Sequence, residues 1–397
     1  MTAQGKVLFV GAGPAQMPAI KHASELGYQP YSIDADPDAV GFQYSLAYEV
    51  GDIRDDQFIV TCAKQFDVDA IVCVATDVPV VAVARACTEL GLHAIPVAAA
   101  EVSINKLKQR ECLKAAGLNV PAFLPFSTVK EAWSCVDEIG FPVVIKPTDS
   151  AGSRGVRFVD GSDDVGEAAE GALEASRSCV GIVEGFVAGA EISVEGFVAG
   201  GEFYSICMSE KTRTQPPYLL DMDVKFPAQF SNVDQEDVLT VARDAVIACG
   251  FDSCPVHMEI LVSSRGLFVV ELAARGAGFR VFTNILPYVT SVDTVDVQLK
   301  LALGREVSIN VAQPLKGAVI SFVSPIPGEL MSVSGVEQAR AIPGVQEAEI
   351  YLKPGKKMGG LRCGADRIGH VITFGESRQI AEQQTNLALS LIKLDVE

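Results

Sequence analysis

Two glutamates in a largely apolar segment are the first candidates for chemistry. The segment begins H-M-E-I-L-V, turns through S-S-R-G and continues L-F-V-V-E-L, a pattern typical of a β-hairpin. Glu259 lies in the first apolar run and Glu271 in the second. A carboxylate buried in a strand needs a partner, so two facing carboxylates indicate a bound cation such as Mg²⁺. The alternative is a surface hairpin whose two glutamates face solvent.

An arginine follows this hairpin closely. Arg275 stands four residues after Glu271, where the chain changes to G-A-G. A planar guanidinium beside a metal ion neutralises the oxygens of a transferring phosphoryl group. The segment from 257 to 280 therefore predicts a phosphoryl-transfer site. His257 alternates with Glu259 on one strand face, so it either reaches this site or is a structural histidine with its own partners.

A strand lysine and a glycine-rich loop form a second candidate site. Residues 141–147 read F-P-V-V-I-K-P, which places Lys146 in an apolar strand, and S-A-G-S-R-G follows at 150–155. Gly152 and Gly155 lack a Cβ, so backbone N–H groups of the loop can approach phosphate oxygens closely. The pattern differs from the G-x-x-x-x-G-K-[ST] loop. We predict a phosphate-binding flap, and a plain hairpin turn is the alternative.

A third stretch has the features of a nucleobase site. The strand that ends at Glu184 is followed by a short linker, Gly185 to Val187, and then by a strand that carries Glu191 and Glu195 on one face. Free backbone groups in such a linker can form hydrogen bonds with the edge of an adenine. The first acidic residue after the linker can accept hydrogen bonds from ribose hydroxyl groups. In the alternative interpretation, the two glutamates form the solvated face of an edge strand.

Three further cations have open interpretations. Lys106 begins a predicted helix, where the helix dipole disfavours a cation, and it is either a solvated lysine or a phosphate ligand. Arg362 and Arg367 lie near the end of the sequence. They either contact an anionic substrate or pair with carboxylates of this acidic chain.

Residues 1–105 alternate short apolar strands with helices. Strands are predicted at 6–10, 30–33 and 70–74, and helices at 14–26, 58–66 and 78–90. This order predicts a parallel, doubly wound α/β sheet whose binding edge lies at the carboxyl ends of its strands. Residues 311–397 predict a small α+β domain with a strand at 317–323, a hairpin at 348–363, a strand at 366–375 and a closing helix at 377–392.

A glycine pair near the start partly matches the dinucleotide-binding fingerprint. Gly11 and Gly13 follow the first strand and Asp34 ends the second, but Gln16 stands in place of the third glycine. NAD binding is therefore the less favoured interpretation. We expect a scaffold, or a wall of a substrate site built at Thr76–Asp77.

Composition restricts the class of protein. At 397 residues the chain is long enough for two or three domains, and its net charge of −18 argues against a nucleic acid as partner. No apolar run reaches the roughly 20 residues that a membrane span needs, and we expect neither a signal nor a transit peptide at the start. Ten scattered cysteines predict reduced thiols, so we expect a cytoplasmic protein.

Together, these motifs resemble the ATP-grasp superfamily, in particular its biotin-carboxylase-like branch. The resemblance rests on the order and spacing of Lys106, V-V-I-K-P, S-A-G-S-R-G-V, V-E-G-F-V-A-G-A-E-I-S-V-E and H-M-E-I…V-V-E-L-A-A-R. The tail D-R-I-G-H-V-I-T-F-G is most similar to the L-amino-acid ligases of that branch. The resemblance implies a Rossmann-like domain at 1–105, a two-subdomain ATP-grasp domain at 106–310 with a mobile lid at about 142–203, and a C-terminal α+β domain at 311–397.

The resemblance also implies ATP as cofactor, Mg²⁺ or Mn²⁺ as metal, and a role for each motif residue. The implied roles are phosphate contacts by Lys106 and Lys146, a flap of Gly152, Ser153 and Gly155, adenine contacts by Glu184 and the backbone of Gly185 and Val187, a ribose contact by Glu191, a γ-phosphate contact by Lys211, metal ligation by Glu259 and Glu271, and stabilisation of an acyl phosphate by Arg275. Ala273 departs from the superfamily, which commonly has an asparagine there, and leaves open whether one or two metal ions bind.

The activity implied by the resemblance is that of an ATP-dependent carboxylate–amine ligase, which forms an amide through an acyl phosphate and releases ADP and phosphate. The expected substrates are small molecules, an amino acid and an amine such as a second amino acid, and the expected assembly is a homodimer. One alternative is a purine-pathway or biotin-carboxylase-type enzyme acting on formate or bicarbonate. Another is a nucleotide-binding module without turnover. The sequence does not identify the substrates.

Overall fold

The computed structural model describes residues 4–229, 233–313 and 315–397. The N-terminal elements are β1 (Lys6–Val10), α1 (Met17–Glu25), β2 (Gln29–Asp34), β3 (Tyr48–Val50), α2 (Asp56–Phe66), β4 (Ala70–Val72), α3 (Val80–Leu90) and α4 (Val97–Ser103). The four strands pair in parallel in the order β3-β2-β1-β4. This arrangement confirms the predicted α/β sheet. Strand β3 was not predicted, because Tyr48 and Val50 are exposed, whereas all three residues of β4 form an apolar, buried run.

The glycine-containing loop after β1 is filled by the protein itself. A Cβ built on Gly11 would lie 3.5 Å from Cγ of Gln16, and one built on Gly13 would lie 3.4 Å from Oε1 of the same glutamine. Oδ2 of Asp34 accepts a hydrogen bond from the N–H of Ala12 at 2.6 Å. Gln16 therefore packs against both glycines, and Asp34 is hydrogen-bonded to the loop. The interpretation of this loop as a scaffold stays a prediction.

Residues 106–185 form a helix and a small antiparallel sheet. The elements are α5 (Lys106–Ala115), β5 (Phe123–Phe126), α6 (Val129–Ile139), β6 (Val143–Pro147), β7 (Arg157–Val159), α7 (Val165–Ala175) and β8 (Gly181–Gly185). The strands lie in the order β5-β8-β6-β7, and apolar side chains of α6 and α7 pack against them. The glycine-rich loop connects the paired strands β6 and β7. The predicted lid overlaps this sheet.

A large antiparallel sheet occupies the centre of the molecule. From residue 190 to residue 323 the strands of this sheet and the helices between them are, in chain order, β9 (Ala190–Ala199), β10 (Glu202–Arg213), β11 (Asp221–Phe226), α8 (Gln235–Ala248), β12 (Cys254–Ser263), β13 (Gly266–Ala273), a π-helix (Val281–Ile285), α9 (Leu286–Thr290), α10 (Thr294–Ala302) and β14 (Gly317–Val323). Strands β12 and β13 form the predicted hairpin. Strand β9 lies between β12 and β10, so the interpretation of Glu191 and Glu195 as the solvated face of an edge strand is wrong.

The C-terminal elements extend this sheet and build a smaller one. They are β15 (Gly328–Ser334), α11 (Val336–Arg340), β16 (Val345–Ile350), β17 (Lys357–Met358), β18 (Gly369–Gly375), α12 (Arg378–Leu391) and β19 (Lys393–Val396). The large sheet has the order β13-β12-β9-β10-β11-β14-β18-β16, and β17-β15-β19 form the small sheet. The predicted hairpin at 348–363 is wrong, because β16 pairs with β18 whereas β17 pairs with β15. The intervening Pro-Gly turn carries the chain from one sheet to the other.

Short 3₁₀ turns complete the described secondary structure, at Phe42–Tyr44, Ser162–Asp164 and Gly364–Asp366. Among the helices of the described residues, none combines the length and the apolar character that a membrane crossing requires.

Candidate active site

Two cavities meet at the β12–β13 hairpin. The first has a volume of about 130 Å³ and the second a volume of about 410 Å³. Glu259 and Glu271 of the hairpin line both cavities, as do Gly152 and Ser153 of the loop between β6 and β7. The hairpin and the loop are therefore shared walls of two adjoining spaces.

The structure brings most of the predicted site residues to these walls. The first cavity is lined by Lys106, Lys146, Gly152, Ser153, Glu184, Gly185, Val187, Glu191, Glu259 and Glu271. Lys211 and Arg275 line the second cavity. Gly155 is in neither lining. A Cβ on Gly155 would lie 2.7 Å from Cβ of Ala175 and 2.8 Å from the carbonyl oxygen of Gly171, so this glycine allows the loop to pack on α7.

Glu259 and Glu271 face each other across the hairpin. Their Cα atoms are partners in the register of β12 and β13, so their side chains lie on the same face of the sheet. Lys106 lies close by: Nζ is 2.8 Å from Oε1 of Glu271 and donates to the carbonyl oxygen of Ser150 at 2.8 Å. Only 6% of Lys106 is exposed. The interpretation of Lys106 as a solvated lysine is therefore wrong.

The start of α5 explains how Lys106 reaches this position. The side chain of Asn105 accepts a hydrogen bond from the N–H of Lys108 and caps the helix. The N–H of Lys106 donates to the carbonyl oxygen of Thr148 at 2.8 Å, which ties the helix start to the end of β6. The cap and the backbone bond fix the lysine between the hairpin and the loop.

The ammonium group of Lys211 lies among three carboxylates. Nζ is 3.1 Å from Glu191 and 3.0 Å from Asp221, and it also contacts Glu259. Oxygens of the three acids lie within 4.8 Å of one another. Although burial opposes the charge, these carboxylates raise the pKa of Lys211 well above its usual range. Asp221 was missed in the sequence, because it follows P-P-Y-L-L without a recognisable motif.

Glu191 is bound by two cations in the described structure. Besides Lys211, Nη1 of Arg213 lies 2.8 Å from its Oε2. Alternation along β10 places Arg213 on the same face as Lys211. Glu191 can therefore contact a ribose only if its carboxylate accepts the hydroxyl groups beside these two cations or releases one of them. The ribose contact stays a prediction.

His257 reaches the site through a glutamate of the neighbouring strand. Nδ1 of His257 lies 2.6 Å from Oε1 of Glu195, and Nε2 lies 3.6 Å from Oε1 of Glu259. Burial disfavours the imidazolium ion, but the two carboxylates prevail and raise the pKa of His257 to about 9. The same imidazolium and Lys211 hold the pKa of Glu259 well below its usual range, despite its burial.

A buried ion cluster also lines the first cavity and contacts β13, where Nη2 of Arg110 donates to the carbonyl oxygen of Val270 at 2.7 Å. Oε2 of Glu184 is 2.8 Å from Nζ of Lys146, and Oε1 is 2.8 Å from Nε of Arg110. Burial raises the pKa of the carboxyl group, but both cations oppose it and lower the pKa of Glu184 to about 2. Nη1 of Arg110 is buried and has no hydrogen-bond partner in the described residues. Arg110 was missed, although it stands one helical turn after Lys106 and thus shares its face.

The predicted adenine linker already uses part of its backbone. The N–H of Gly185 donates to Ala122 at 2.8 Å, and the N–H of Phe186 donates to Pro142 at 2.9 Å. Gly185, Phe186 and Val187 still line the first cavity. The Phe186 ring packs edge-on against that of Phe158, with centroids 4.8 Å apart, which anchors the linker to β7.

The glycine-rich loop has an unusual backbone and a contact with the C-terminal region. Gly152, Ser153 and Gly155 have φ values of 68°, 58° and 69°, in the left-handed region that glycine favours. The N–H of Gly364 donates to the carbonyl oxygen of Gly152 at 3.1 Å. The predicted flap is thus connected to the segment that precedes β18.

Arg275 is held by the N-terminal sheet. Its Nε and Nη2 each donate to a carboxylate oxygen of Asp77 at 2.8 Å. Despite burial, this guanidinium lowers the pKa of Asp77. Thr76 and Asp77 lie just beyond β4 and line the second cavity. This position agrees with the prediction that they form a wall of a substrate site.

The donor set at the hairpin fits a divalent cation. Mg²⁺ and Mn²⁺ prefer carboxylate oxygens, and Glu259 and Glu271 present them on one face. Ala273 supplies no side-chain oxygen, whereas Asp221 places a third carboxylate beside Glu259. These residues could therefore hold such a cation with ligands from two or three acids.

Known proteins resemble this chain in both sequence and fold. Residues 139–283 match the ATP-grasp domain, and residues 321–397 match the L-amino acid ligase C-terminal domain 2. The uncharacterized protein y4rH of Sinorhizobium fredii (strain NBRC 101917 / NGR234) is 28% identical over 325 residues, which cover 80% of this chain and 66% of that protein. Alanine–anticapsin ligase of Bacillus subtilis (strain 168) is 27% identical over 254 residues, which cover 57% of this chain and 52% of that enzyme.

The chain thus spans between half and two thirds of the length of these relatives. The crystal structure of an L-amino acid ligase from Bacillus licheniformis superposes with a TM-score of 0.86 over the full length of both chains, at 19% identity. This superposition establishes the fold, including the small C-terminal region.

Proposed function

We propose that this chain, which belongs to the ATP-grasp superfamily and carries an L-amino acid ligase C-terminal domain, is an ATP-dependent carboxylate–amine ligase. It joins the carboxylate of an amino acid to the amino group of a second small molecule. The products are an amide, ADP and phosphate.

One observation carries the proposal: Glu259 and Glu271 line both cavities. The first cavity has lysines for phosphates and a linker for a base, which suits ATP. The second has Arg275 and Lys211, which suit an anionic substrate. A cation held by the shared glutamates neutralises charge where the two substrates meet, and this is where a phosphoryl group must pass.

Each predicted site residue then has a role. Lys106 and Lys146 contact phosphates, Gly152 and Ser153 belong to the flap, Gly155 holds the flap against α7, Glu184 with Gly185 and Val187 binds adenine, Glu191 binds ribose, Lys211 contacts the γ-phosphate, and Glu259 and Glu271 hold Mg²⁺ or Mn²⁺. When bound, the metal ion supplies charge neutralisation at the phosphoryl oxygens. Arg275 stabilises the acyl phosphate on the side of the second cavity.

The reaction proceeds in two steps. An oxygen of the substrate carboxylate attacks the γ-phosphorus of ATP, the bond to the bridging oxygen breaks, and ADP leaves. The amine nitrogen then attacks the carbonyl carbon of the acyl phosphate and loses a proton, while the carbon–oxygen bond to phosphate breaks. Closure of the flap excludes water, which would otherwise hydrolyse the anhydride.

A substrate panel tests the proposal. ADP and phosphate are measured with ATP and Mg²⁺ alone, then with single amino acids, amino acid pairs, formate and bicarbonate, and amide products are identified by mass. We expect slow ADP release without an acid and strong stimulation by a suitable acid–amine pair. Release of AMP, or stimulation without an amide product, would contradict a carboxylate–amine ligase of this mechanism. The domain boundaries, the homodimer and the cytoplasmic location remain predictions.

A further inference from the structure

His257 stands opposite the residue at which the hairpin offers no side-chain oxygen. The Cα atoms of His257 and Ala273 are partners in the register of β12 and β13, two residues along the strands from the pair Glu259 and Glu271. Because side chains alternate along a strand, the four residues share one face of the sheet. All four line the second cavity. The imidazole therefore borders the position where Ala273 supplies no ligand.

A buried carboxylate fixes the orientation of this imidazole. Nδ1 of His257 lies 2.6 Å from Oε1 of Glu195, a residue of β9 that is only 2% exposed. An ionised carboxylate accepts but does not donate, so Nδ1 carries the hydrogen of this bond. Within the described residues, His257 is the one ion-pair partner of Glu195. The bond sets the plane of the ring and leaves Nε2 as the nitrogen that can take a further partner.

Nε2 faces the predicted metal ligand Glu259. The distance between Nε2 and Oε1 of Glu259 is 3.6 Å. Two donor atoms that bind one ion at about 2.1 Å, at an angle of roughly 90–110°, lie about 3–3.5 Å apart. The observed separation exceeds this value only slightly. Nε2 and the Glu259 oxygen are therefore spaced almost as two ligands of the same ion.

The contacts of His257 match a common arrangement of metalloproteins. A histidine that binds a metal ion usually donates its other ring N–H to a carboxylate, which fixes the ring and makes the free nitrogen a better ligand. Glu195 provides such a carboxylate, and Nε2 is directed toward the hairpin. A histidine that served only to neutralise Glu195 would not have to direct Nε2 toward Glu259.

We propose that Nε2 of His257 is a ligand of the divalent cation at the hairpin, beside the carboxylates of Glu259 and Glu271, and that Glu195 positions the imidazole. Coordination uses the lone pair of Nε2, so a proton on this nitrogen leaves to solvent when the ion binds. Imidazole suits transition-metal ions, whereas Mg²⁺ prefers oxygen. Compared with a site of oxygens alone, this ligand set shifts the preference from Mg²⁺ toward a transition-metal ion such as Mn²⁺. This inference rests on the proposed function, to whose metal ion it assigns a nitrogen ligand.

Electron spin-echo spectroscopy of bound Mn²⁺ tests the inference without turnover. The protein is labelled with ¹⁵N in its histidine rings and mixed with Mn²⁺ and ADP, so that the ¹⁴N atoms of the nucleotide give a separate signal. We expect the ¹⁵N coupling of a directly bound imidazole, together with the ³¹P coupling of the nucleotide. H257Q should lose the ¹⁵N coupling and keep the ³¹P coupling.

Binding constants distinguish the ligand from the residue that positions it. With ADP present, E195Q should weaken Mn²⁺ binding by about 10–100-fold but keep the ¹⁵N coupling, because the imidazole is still there. H257Q should weaken Mn²⁺ binding at least as much, and Mg²⁺ binding less. H22Q changes a histidine of α1 that lines neither cavity, so it should alter neither the spectrum nor the affinity. Thermal unfolding checks that each variant folds.

Three results would overturn the inference. They are a wild-type complex that binds no Mn²⁺, one with the ³¹P coupling but without the ¹⁵N coupling, and a ¹⁵N coupling that persists in H257Q. Equal losses of Mn²⁺ and Mg²⁺ affinity in H257Q would contradict the shift in metal preference. Failure of the proposed function looks different, because the ¹⁵N coupling would then be observed although no acid–amine pair gives an amide.

Discussion

The ammonium nitrogen of Lys106 lies 2.8 Å from a carboxylate oxygen of Glu271, although 165 residues separate the two in the chain. The pair joins a predicted phosphate ligand to a predicted metal ligand. Lys211 and Glu259 repeat this relationship. A metal–nucleotide complex carries charges of both signs. When it binds, each lysine can leave its carboxylate and contact a phosphate, while the carboxylate leaves the lysine and binds the metal ion. The site can therefore bind both without leaving a buried charge unpaired.

The first prediction concerns Glu271. E271Q should lower kcat by about 10²–10³, because it removes a charge that compensates the cation at the phosphoryl group. The fold should persist, since the side chain is only partly buried and glutamine keeps its shape. Steady-state ADP release measures the effect, and E202Q, at an exposed position of β10, is the control. Near-normal ATP consumption by E271Q would show that the hairpin is not part of the active site.

The second prediction concerns the buried cluster around Glu184. E184Q leaves Lys146 and Arg110 without their carboxylate and should lower the free energy of unfolding by about 3–5 kcal/mol. Urea unfolding at pH 7 measures the loss. D52N, which breaks an exposed pair with Arg54, should change little. Equal stability of E184Q and the wild type would show that the two cations do not depend on Glu184.

The pH dependence of this cluster follows from the lowered pKa of Glu184, about 2. Because the carboxyl group binds its proton more weakly in the folded protein, its contribution is present above the unfolded value of about 4.5 and is lost as the pH falls towards 2. The stability difference between wild type and E184Q should therefore be constant from pH 7 to 5 and shrink below pH 4.5. A difference that persists unchanged at pH 3 would contradict this account.

The third prediction concerns His257, whose pKa is raised to about 9. The raised value means that its charge contributes stability below the unfolded value of about 6.5 and that this contribution is lost as the pH rises through 9. NMR of the imidazole protons, assigned with H257Q, should show titration near pH 9. E195Q should move the titration towards 6.5, whereas a wild-type midpoint at 6.5 would mean that Glu195 and Glu259 do not act on it.

The fourth prediction compares two glycines of the flap. G155A introduces a Cβ into α7 and should destabilise the protein by about 1–3 kcal/mol. G152A meets nothing within 4 Å, so its cost is the backbone strain of about 1 kcal/mol, but it changes a residue that lines both cavities. Thermal unfolding should respond more to G155A and ATP affinity more to G152A. The reverse order would contradict the assignment of Gly152 to the cavity and of Gly155 to packing.

Local patterns predicted the elements whose partners are close in the sequence. The β12–β13 hairpin was predictable because its turn and both strands lie within twenty residues. The burial of Lys106 was not, because its partner Glu271 comes from another element far along the chain. Arg110 was not predicted for the same reason. In the sequence it has the pattern of an arginine on a helix surface, and its partner Glu184 comes from β8, far along the chain.

The C-terminal region shows a different limit of sequence reasoning. Two strands around a Pro-Gly turn have the pattern of a hairpin, yet β16 and β17 belong to different sheets. The pairing there is made with β18 and β15, which lie outside the turn and which the local pattern around it does not identify. Strand β19 escaped prediction since it has four residues and follows α12 directly.

The central claim, activation of a carboxylate as an acyl phosphate, is tested most directly by oxygen transfer. The substrate amino acid is labelled with ¹⁸O in its carboxylate, and the phosphate released during amide formation is examined by mass spectrometry. Attack of the carboxylate on the γ-phosphorus predicts one labelled oxygen in each phosphate, formed together with ADP and with one amide. Phosphate without label, or label found in AMP, would contradict the account.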